Sequence, residues 1–321
     1  MEVIVLAGGF GTRLRPLTED RAKPLLPILD QPLLQRVVEV VPSEMIDRVI
    51  VAAGFGIEEM RDWATNAELP YEVVLSVEDE AMGTGGAIAL AREHLSGEGP
   101  VLVLNGDLVS SVEVESLLKH HKTTGALATL SLWEVEDPSR FGVVELKNGE
   151  ILQFQEKPKK GSELSNLINA GTYLLEPEIL EMIPPNQKIS VERDIYPKVA
   201  GNGLHGFPFE GYFIDSGTPE SYLEANFKAI GNNGTASHAG ANMRGKSIVH
   251  ESAKLEDCII GPNAIIGPNV EMKKCVIRKS VILANVKGYG GIVEKSIIGP
   301  NISFKNDLNR TLISPEGTIT F

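Results

Sequence analysis

A six-residue period near the C-terminus constrains this chain more than any other feature. In "CIIGPNAIIGPNVEMKKCVI" the apolar residues Ile260, Ile266 and Met272 stand six apart, and Ala264, Val270 and Val276 form a second six-spaced set. The same turn, Gly-Pro-Asn, recurs at 261–263, 267–269 and 299–301. A hexapeptide period is the pattern of a β-helix, in which each side of a coil buries one aliphatic residue. Around 80 residues give roughly four coils of eighteen, with Tyr289-Gly290-Gly291 interrupting the period. The two cysteines, Cys258 and Cys275, both fall here and are expected to be buried free thiols in a reducing compartment.

The first 110 positions follow another pattern. Strand-like runs at Val3–Ala7, Arg48–Ala53, Tyr71–Val77 and Val101–Leu104 alternate with helix-like runs at Leu33–Val41, Ile57–Asn66, Gly86–Leu95 and Val112–His121. Strands this apolar, separated by helices, predict an α/β domain with a mostly parallel sheet covered on both faces. After Leu127 the chain becomes richer in strand signals, and Asn148-Gly149 between two alternating runs predicts a hairpin. "GYFIDSGTPESYLEANFKAI" reads as strand, loop and helix, with Pro219 in the first helical turn. The Gly/Ser/Asn-rich run Asn232–Asn242 reads as a linker. The expected division is therefore a first domain at 1–231, a linker at 232–242 and a β-helix at 243–321.

Charge is unevenly spread. From Gly240 onward there are 11 Lys and Arg against 7 Asp and Glu, while the other 239 residues hold 19 basic and 36 acidic side chains. A surface this acidic repels a polyanion, so nucleic acid is not an expected partner. No stretch approaches ~18 apolar residues, so no membrane span or signal peptide is expected and the cytoplasm is the expected location. Any phosphate ligand needs a local cationic pocket, and "VIVLAGGFGTRLRPLTEDRAKPLLPI" is the one dense candidate. It lacks the spacing of a dinucleotide fingerprint and of a P-loop. Its glycines Gly8, Gly9 and Gly11 let backbone N–H groups approach phosphate oxygens. Thr12 adds a hydroxyl, Arg13 a planar fork and Lys23 a point charge.

"LAGGFGTRLRPLT" followed by "KPLLPI" resembles the signature of the sugar-1-phosphate nucleotidylyltransferases, and the C-terminal period resembles the left-handed hexapeptide β-helix common beside it. The resemblance continues through "NGD" at 105–107, "FGVV" at 141–144, "EKP" at 156–158, "NAGTYLL" and "DSGTPESYLEAN". It implies a Rossmann-like nucleotidyltransferase domain and a reaction of sugar-1-phosphate with a nucleoside triphosphate, giving a nucleotide-sugar and pyrophosphate. It also implies that Leu6, Ala7, Gly8, Gly9, Gly11, Thr12, Arg13 and Lys23 bind the nucleotide. Arg13 would stabilise the leaving pyrophosphate, and Lys23 would sit near the α-phosphate. Asp107 and Asp215 would hold Mg²⁺, for which hard oxygen ligands are suited. Gly142, Glu156, Lys157 and Asn169 would hold the sugar phosphate. Arg13, Lys23 and Asp107 are thus the expected catalytic residues.

Base selection is expected from "SVEDEAMGTGGAI", where Gly83 and Thr84, with Gly85, would let a flat purine lie against backbone. Guanine presents two adjacent donors that one carboxylate, Glu78 or Glu80, can accept together. The stretch resembles guanylyltransferases for mannose- or heptose-1-phosphate, so GTP and mannose-1-phosphate are the expected substrates; glucose-1-phosphate thymidylyl or uridylyl transfer is the alternative. Two readings of another class stand beside this one: an inactive regulatory paralogue, against which the retained cationic and acidic residues argue, and an acetyltransferase in the β-helix, for which only His250 offers a base. Homo-oligomerisation through the β-helix is expected, because open solenoid ends need covering.

Overall fold

A computed structural model describes residues 1–231 and 234–321. Asn232 and Asn233, the start of the expected linker, lie outside the described residues. The chain separates into two compact units, Met1–Gly9 with Leu34–Phe213, and Phe10–Leu33 with Ile214–Phe321.

The first unit is built on a nine-stranded sheet. In chain order its strands are β1 (Glu2–Leu6), β2 (Arg48–Ala53), β3 (Glu72–Val77), β4 (Val101–Asn105), β5 (Ala128–Glu134), β6 (Gly142–Lys147), β7 (Glu150–Glu156), β8 (Leu167–Leu175) and β9 (Leu204–Pro208). Their spatial order is β3-β2-β1-β4-β8-β5-β9-β7-β6. The pairs β3–β2, β2–β1, β1–β4 and β5–β9 are parallel. Strand β8 runs antiparallel to β4 and to β5, and β7 antiparallel to β6. The expected mostly parallel sheet is therefore corrected to a mixed one. The first half alternates strand with helix; beyond Leu127 hairpins and antiparallel strands enter the sheet beside β9, which stays parallel to β5. Asn148 and Gly149 turn the β6–β7 hairpin with φ of 53° and 85°, as a two-residue loop of this kind requires.

Helices α1 (Ile57–Asn66), α2 (Gly83–Ala91) and α3 (Val114–Thr124) belong to this unit. Helix α3 ends at Gly125, whose φ of 63° is the left-handed stop that favours glycine. The core gathers Ile4, Ile50, Ile88, Val103, Leu130 and Tyr173, all fully buried.

In the second unit, helix α4 (Pro219–Ile230) opens with a reciprocal cap: Thr218 accepts from the Ser221 amide, and Ser221 answers the Thr218 amide. Such a cap contributes about 1 kcal/mol. Buried Asn226 on α4 accepts from the Leu29 amide at 3.0 Å. The β-helix follows, with three sheets of stacked parallel strands and Val249, Ile260, Ile266, Ile277, Ile282 and Ile298 in its core. Its first coil already includes the strand Ala241–Met243. Ile259 lies opposite Val276, Val276 opposite Ile292 and Val293 opposite Leu308, so the coils measure 17, 16 and 15 residues rather than the expected eighteen. The corners explain the difference: where one coil turns through Gly261-Pro262-Asn263, the later ones turn on Lys279, Lys295 and Arg310 at positive φ. Asn269, Asn285 and Asn301 stack their amides along another corner, at 3.3 and 3.0 Å. The last strand, Gly317–Thr320, folds back antiparallel on Thr311–Ser314 and covers that sheet's edge. Cys258 and Cys275 are buried free thiols.

Candidate active site

Parallel strands in an open sheet collect ligands beyond their C-terminal ends, and the first unit places its candidates there. Beyond β1, the Leu6 carbonyl accepts from the Gly106 amide at 2.9 Å and the Ala7 amide donates to Ala52 at 2.8 Å. Gly8 follows, and a Cβ on it would lie 2.9 Å from Glu78 Oε1. Glu78 leaves the end of β3, is 7% exposed, and accepts from the Met82 amide at 3.1 Å. Burial pushes its carboxyl above the usual range, and the Met82 hydrogen bond opposes that. Of the two carboxylates considered for the base, Glu78 is the one held against the glycine floor; Glu80 is exposed. Gly9 is exposed, with open space where a Cβ would stand.

The small residues of the base loop also admit a second segment of the chain. A Cβ on Gly83 would lie 2.6 Å from the Ile189 carbonyl, and one on Gly85 2.2 Å from Ile189 Cγ2. These glycines admit the segment 187–192, which docks through Gly85 N to Ile189 O at 2.9 Å and Ile189 N to Met82 O at 2.9 Å. The Thr84 hydroxyl is engaged in the same contact, donating to Glu192 Oε2 at 2.6 Å and accepting from the Val191 amide at 3.1 Å.

Beyond β4, Gly106 and half-buried Asp107 form a turn. Strand β8 bulges between Asn169 and Tyr173, and Gly171 at its centre, with φ 69°, leaves room for Leu108 and Asn105 beside that turn. The sugar-side candidates share one hairpin end. Gly142 faces Glu156 across the β6–β7 pair, and a Cβ on Gly142 would crowd Glu156 Oε2 at 3.1 Å. Lys157 Nζ stands 3.3 Å from Glu156 Oε1. Burial raises the Glu156 carboxyl, Lys157 works against that and Glu192 adds to it. Lys157 is exposed and has φ 47°, a conformation that costs a non-glycine residue about 1–3 kcal/mol. Asn169 Oδ1 accepts from the Gly171 amide at 3.1 Å.

The remaining candidates lie in the second unit. Gly11 has φ 61°, and a Cβ on it would meet Lys23 Cβ at 3.0 Å and Thr18 Cγ2 at 3.2 Å. Thr18 donates to the Gly11 carbonyl at 2.8 Å, closing the loop. Thr12 is exposed, Arg13 is half-exposed and Lys23 is buried. Arg13 reaches Asp215 at 3.8 Å, across Gly217, where a Cβ would clash with the guanidinium. Asp215 Oδ1 is buried without a hydrogen-bond partner, which suits an oxygen ligand of a hard cation. Among the described residues, no three His, Cys, Asp or Glu side chains cluster as a metal site. No described helix is long and apolar enough to cross a membrane.

Sequence reasoning missed Ser190 and Glu192. The available signal was local: Ser190 caps the turn Val191–Ile195, accepting from the Arg193 amide at 3.3 Å, while Asp194 accepts from the Ser190 amide at 2.8 Å.

Residues 2–231 match the family model described as Nucleotidyl transferase. The chain is 35% identical over 320 residues to a "Probable mannose-1-phosphate guanylyltransferase 2" of Oryza sativa subsp. japonica, covering 93% of this chain and 86% of that one. It is 35% identical over 279 residues to the "Mannose-1-phosphate guanyltransferase" of Schizosaccharomyces pombe, covering 84% and 74%. Among solved structures, HddC from Yersinia pseudotuberculosis complexed with GMP-PN aligns with a TM-score of 0.60 at 30% identity, over 71% of this chain and 99% of that one. On these matches, the chain belongs to the nucleotidyl transferase family.

Proposed function

We propose that this protein is a mannose-1-phosphate guanylyltransferase, joining GTP and mannose-1-phosphate into GDP-mannose with release of pyrophosphate. The observation that carries the choice of base is the buried Glu78 carboxylate held against Gly8, an acceptor for the adjacent N1–H and N2–H donors of guanine that uracil and thymine lack. The names of the relatives and the GMP-PN complex of HddC support the same reading.

A phosphate oxygen of the sugar-1-phosphate attacks the α-phosphorus of GTP in line, and the bond to the β-phosphate oxygen breaks as pyrophosphate leaves. The nucleophile is already anionic, so no Ser–His or Cys–His pair is required, and catalysis reduces to positioning and charge neutralisation. Arg13 takes charge developing on pyrophosphate, Lys23 stands at the α-phosphate, and Lys157 pairs with the sugar's phosphate. Glu156 and Asn169 orient sugar hydroxyls. Asp215, with its unpartnered oxygen, and Asp107 are the carboxylates proposed for Mg²⁺, which when bound neutralises charge on the phosphate oxygens. Self-association through the β-helix belongs to the same proposal.

Pyrophosphate release should be measured with GTP, ATP, UTP, CTP and dTTP against mannose-, glucose-, heptose- and N-acetylglucosamine-1-phosphate, with and without Mg²⁺. Turnover should be Mg²⁺-dependent and greatest with GTP and mannose-1-phosphate. Turnover with dTTP or UTP but not GTP overturns the base assignment; no turnover with any pair favours the regulatory-paralogue reading.

A further inference from the structure

We propose that Glu192 is a positioning residue: through Thr84 and Ser190 it fixes the base loop Met82–Gly86, and through that loop the orientation of Glu78. The inference deepens the proposed base recognition and rests on it.

The geometry forms a continuous chain within the first unit. Glu192 Oε2 accepts from Thr84 Oγ1 and from Ser190 Oγ, each at 2.6 Å, distances typical of charge-assisted bonds. The Thr84 hydroxyl accepts in turn from the Val191 amide, so its donor and one acceptor position are both committed to the segment 190–192. That segment grips the loop from its other side, where Ile189 N donates to Met82 O and Ile189 O accepts from Gly85 N. Met82 N is the donor to Glu78 Oε2. Removing Glu192 therefore leaves two hydroxyls without their acceptor and loosens the peptide that aims Glu78.

The same carboxylate acts in a second direction. Its charge adds to burial in raising Glu156, and to burial in raising the phenols of fully buried Tyr173 and Tyr196. Tyr173 Oη reaches Asn105 Oδ1 at 3.5 Å, two positions before Asp107. Val191–Ile195 is a π-helical turn, a rare element found disproportionately at functional sites. Glu192 hydrogen-bonds to Thr84 of the base loop and to Ser190 beside it, so the effect of removing it should fall on base binding before it falls on chemistry.

The test compares Glu192→Ala, Glu192→Gln and Thr84→Val with the parent enzyme by steady-state kinetics. Alanine at 192 should raise KM for the preferred nucleotide about tenfold, the scale of a lost hydrogen bond to a charged group, and compress discrimination against ATP. It should leave kcat and the sugar-phosphate KM within about threefold, a smaller effect than losing such a bond. Glutamine keeps an acceptor for both hydroxyls and should recover most of the nucleotide KM; Thr84→Val should reproduce the alanine effect. Equal loss in both substrates' KM and in kcat, without recovery by glutamine, overturns the proposal in favour of a purely structural role. Parental kinetics in Glu192→Ala overturn it outright. The guanine reading fails separately, on the parent's own nucleotide preference, whereas the KM split is read with whichever nucleotide the parent prefers.

Discussion

The β-helix and the α/β unit use the same uncommon backbone for different purposes. In the solenoid, Lys274, Lys279, Lys295 and Arg310 all have φ between 47° and 57°. Each closes its amide onto a carbonyl of the preceding coil, as Lys279 does to Pro262 at 2.8 Å and Lys274 to Glu256 at 2.8 Å. Strain repeated from coil to coil is architecture. In the α/β unit Lys157 adopts φ 47° once, directly after Glu156, with its amide on Phe141 at 2.9 Å. No packing period calls for a lysine there, and strain held at one residue beside a half-buried carboxylate is what functional sites store. Glycines divide the same way. Gly267 and Gly299 leave room for the Ile282 and Ile313 carbonyls of the next coil, each 2.9 Å from a would-be Cβ. Gly83 and Gly85 leave room for Ile189, more than a hundred residues away in sequence.

If that contrast holds, changes in the site should cost rate and changes in the solenoid should cost stability. The largest effects are expected for Asp107→Asn and Arg13→Ala, each lowering kcat by about 10²–10³, or roughly 3–4 kcal/mol, with an unfolding midpoint close to the parent's. Ile282→Ala, at a fully buried solenoid position, should instead cost about 2–5 kcal/mol in denaturant unfolding, and the protein that remains folded should keep parental KM values. A matched pair of substitutions separates the two regions. Lys295→Gly and Lys157→Gly both relieve a left-handed residue and should each stabilise by about 1 kcal/mol or less. Only Lys157→Gly should raise the KM for the sugar phosphate; if both or neither do so, the distinction drawn between the two lysines is lost.

The smallest effect is one of pH. Burial holds His120 and His121 of α3 below the usual imidazole range; His205 reinforces this for His120, while Glu176 opposes it for His121. Protonation therefore favours the unfolded chain, and stability should fall as pH drops below about 6.5. Thermal unfolding followed between pH 8 and pH 5 checks the sign, and His120→Gln should flatten part of the slope.

The β-helix was legible in the sequence because its contacts recur at short, regular separation: the aliphatic spacing and the Gly-Pro-Asn turns each report a neighbour one coil away. Its coil length was misjudged because corners built on single left-handed Lys or Arg residues carry no Gly-Pro-Asn mark. The parallel half of the sheet was legible for a related reason, since buried parallel strands are continuous apolar runs. The antiparallel half was not, as β8 inserts between β4 and β5 through pairings that no local pattern encodes. Among the candidate residues, those of the glycine-rich opening and the Glu-Lys-Pro turn are marked by local motifs. The partnership of Thr84 with Glu192 is not: it spans 108 positions, and each residue alone looks like an ordinary polar side chain.

If a carboxylate backed by a glycine floor selects guanine, the selection is read by letting GTP and dTTP compete for mannose-1-phosphate in a single reaction, with the parent and with Glu78→Gln. The parent should make GDP-mannose in large excess, and Glu78→Gln should lose about 10–100-fold of that preference, the scale of one hydrogen bond to a charged group. A parent that makes mainly dTDP-mannose, or a Glu78→Gln enzyme with undiminished preference for GTP, would contradict that selection.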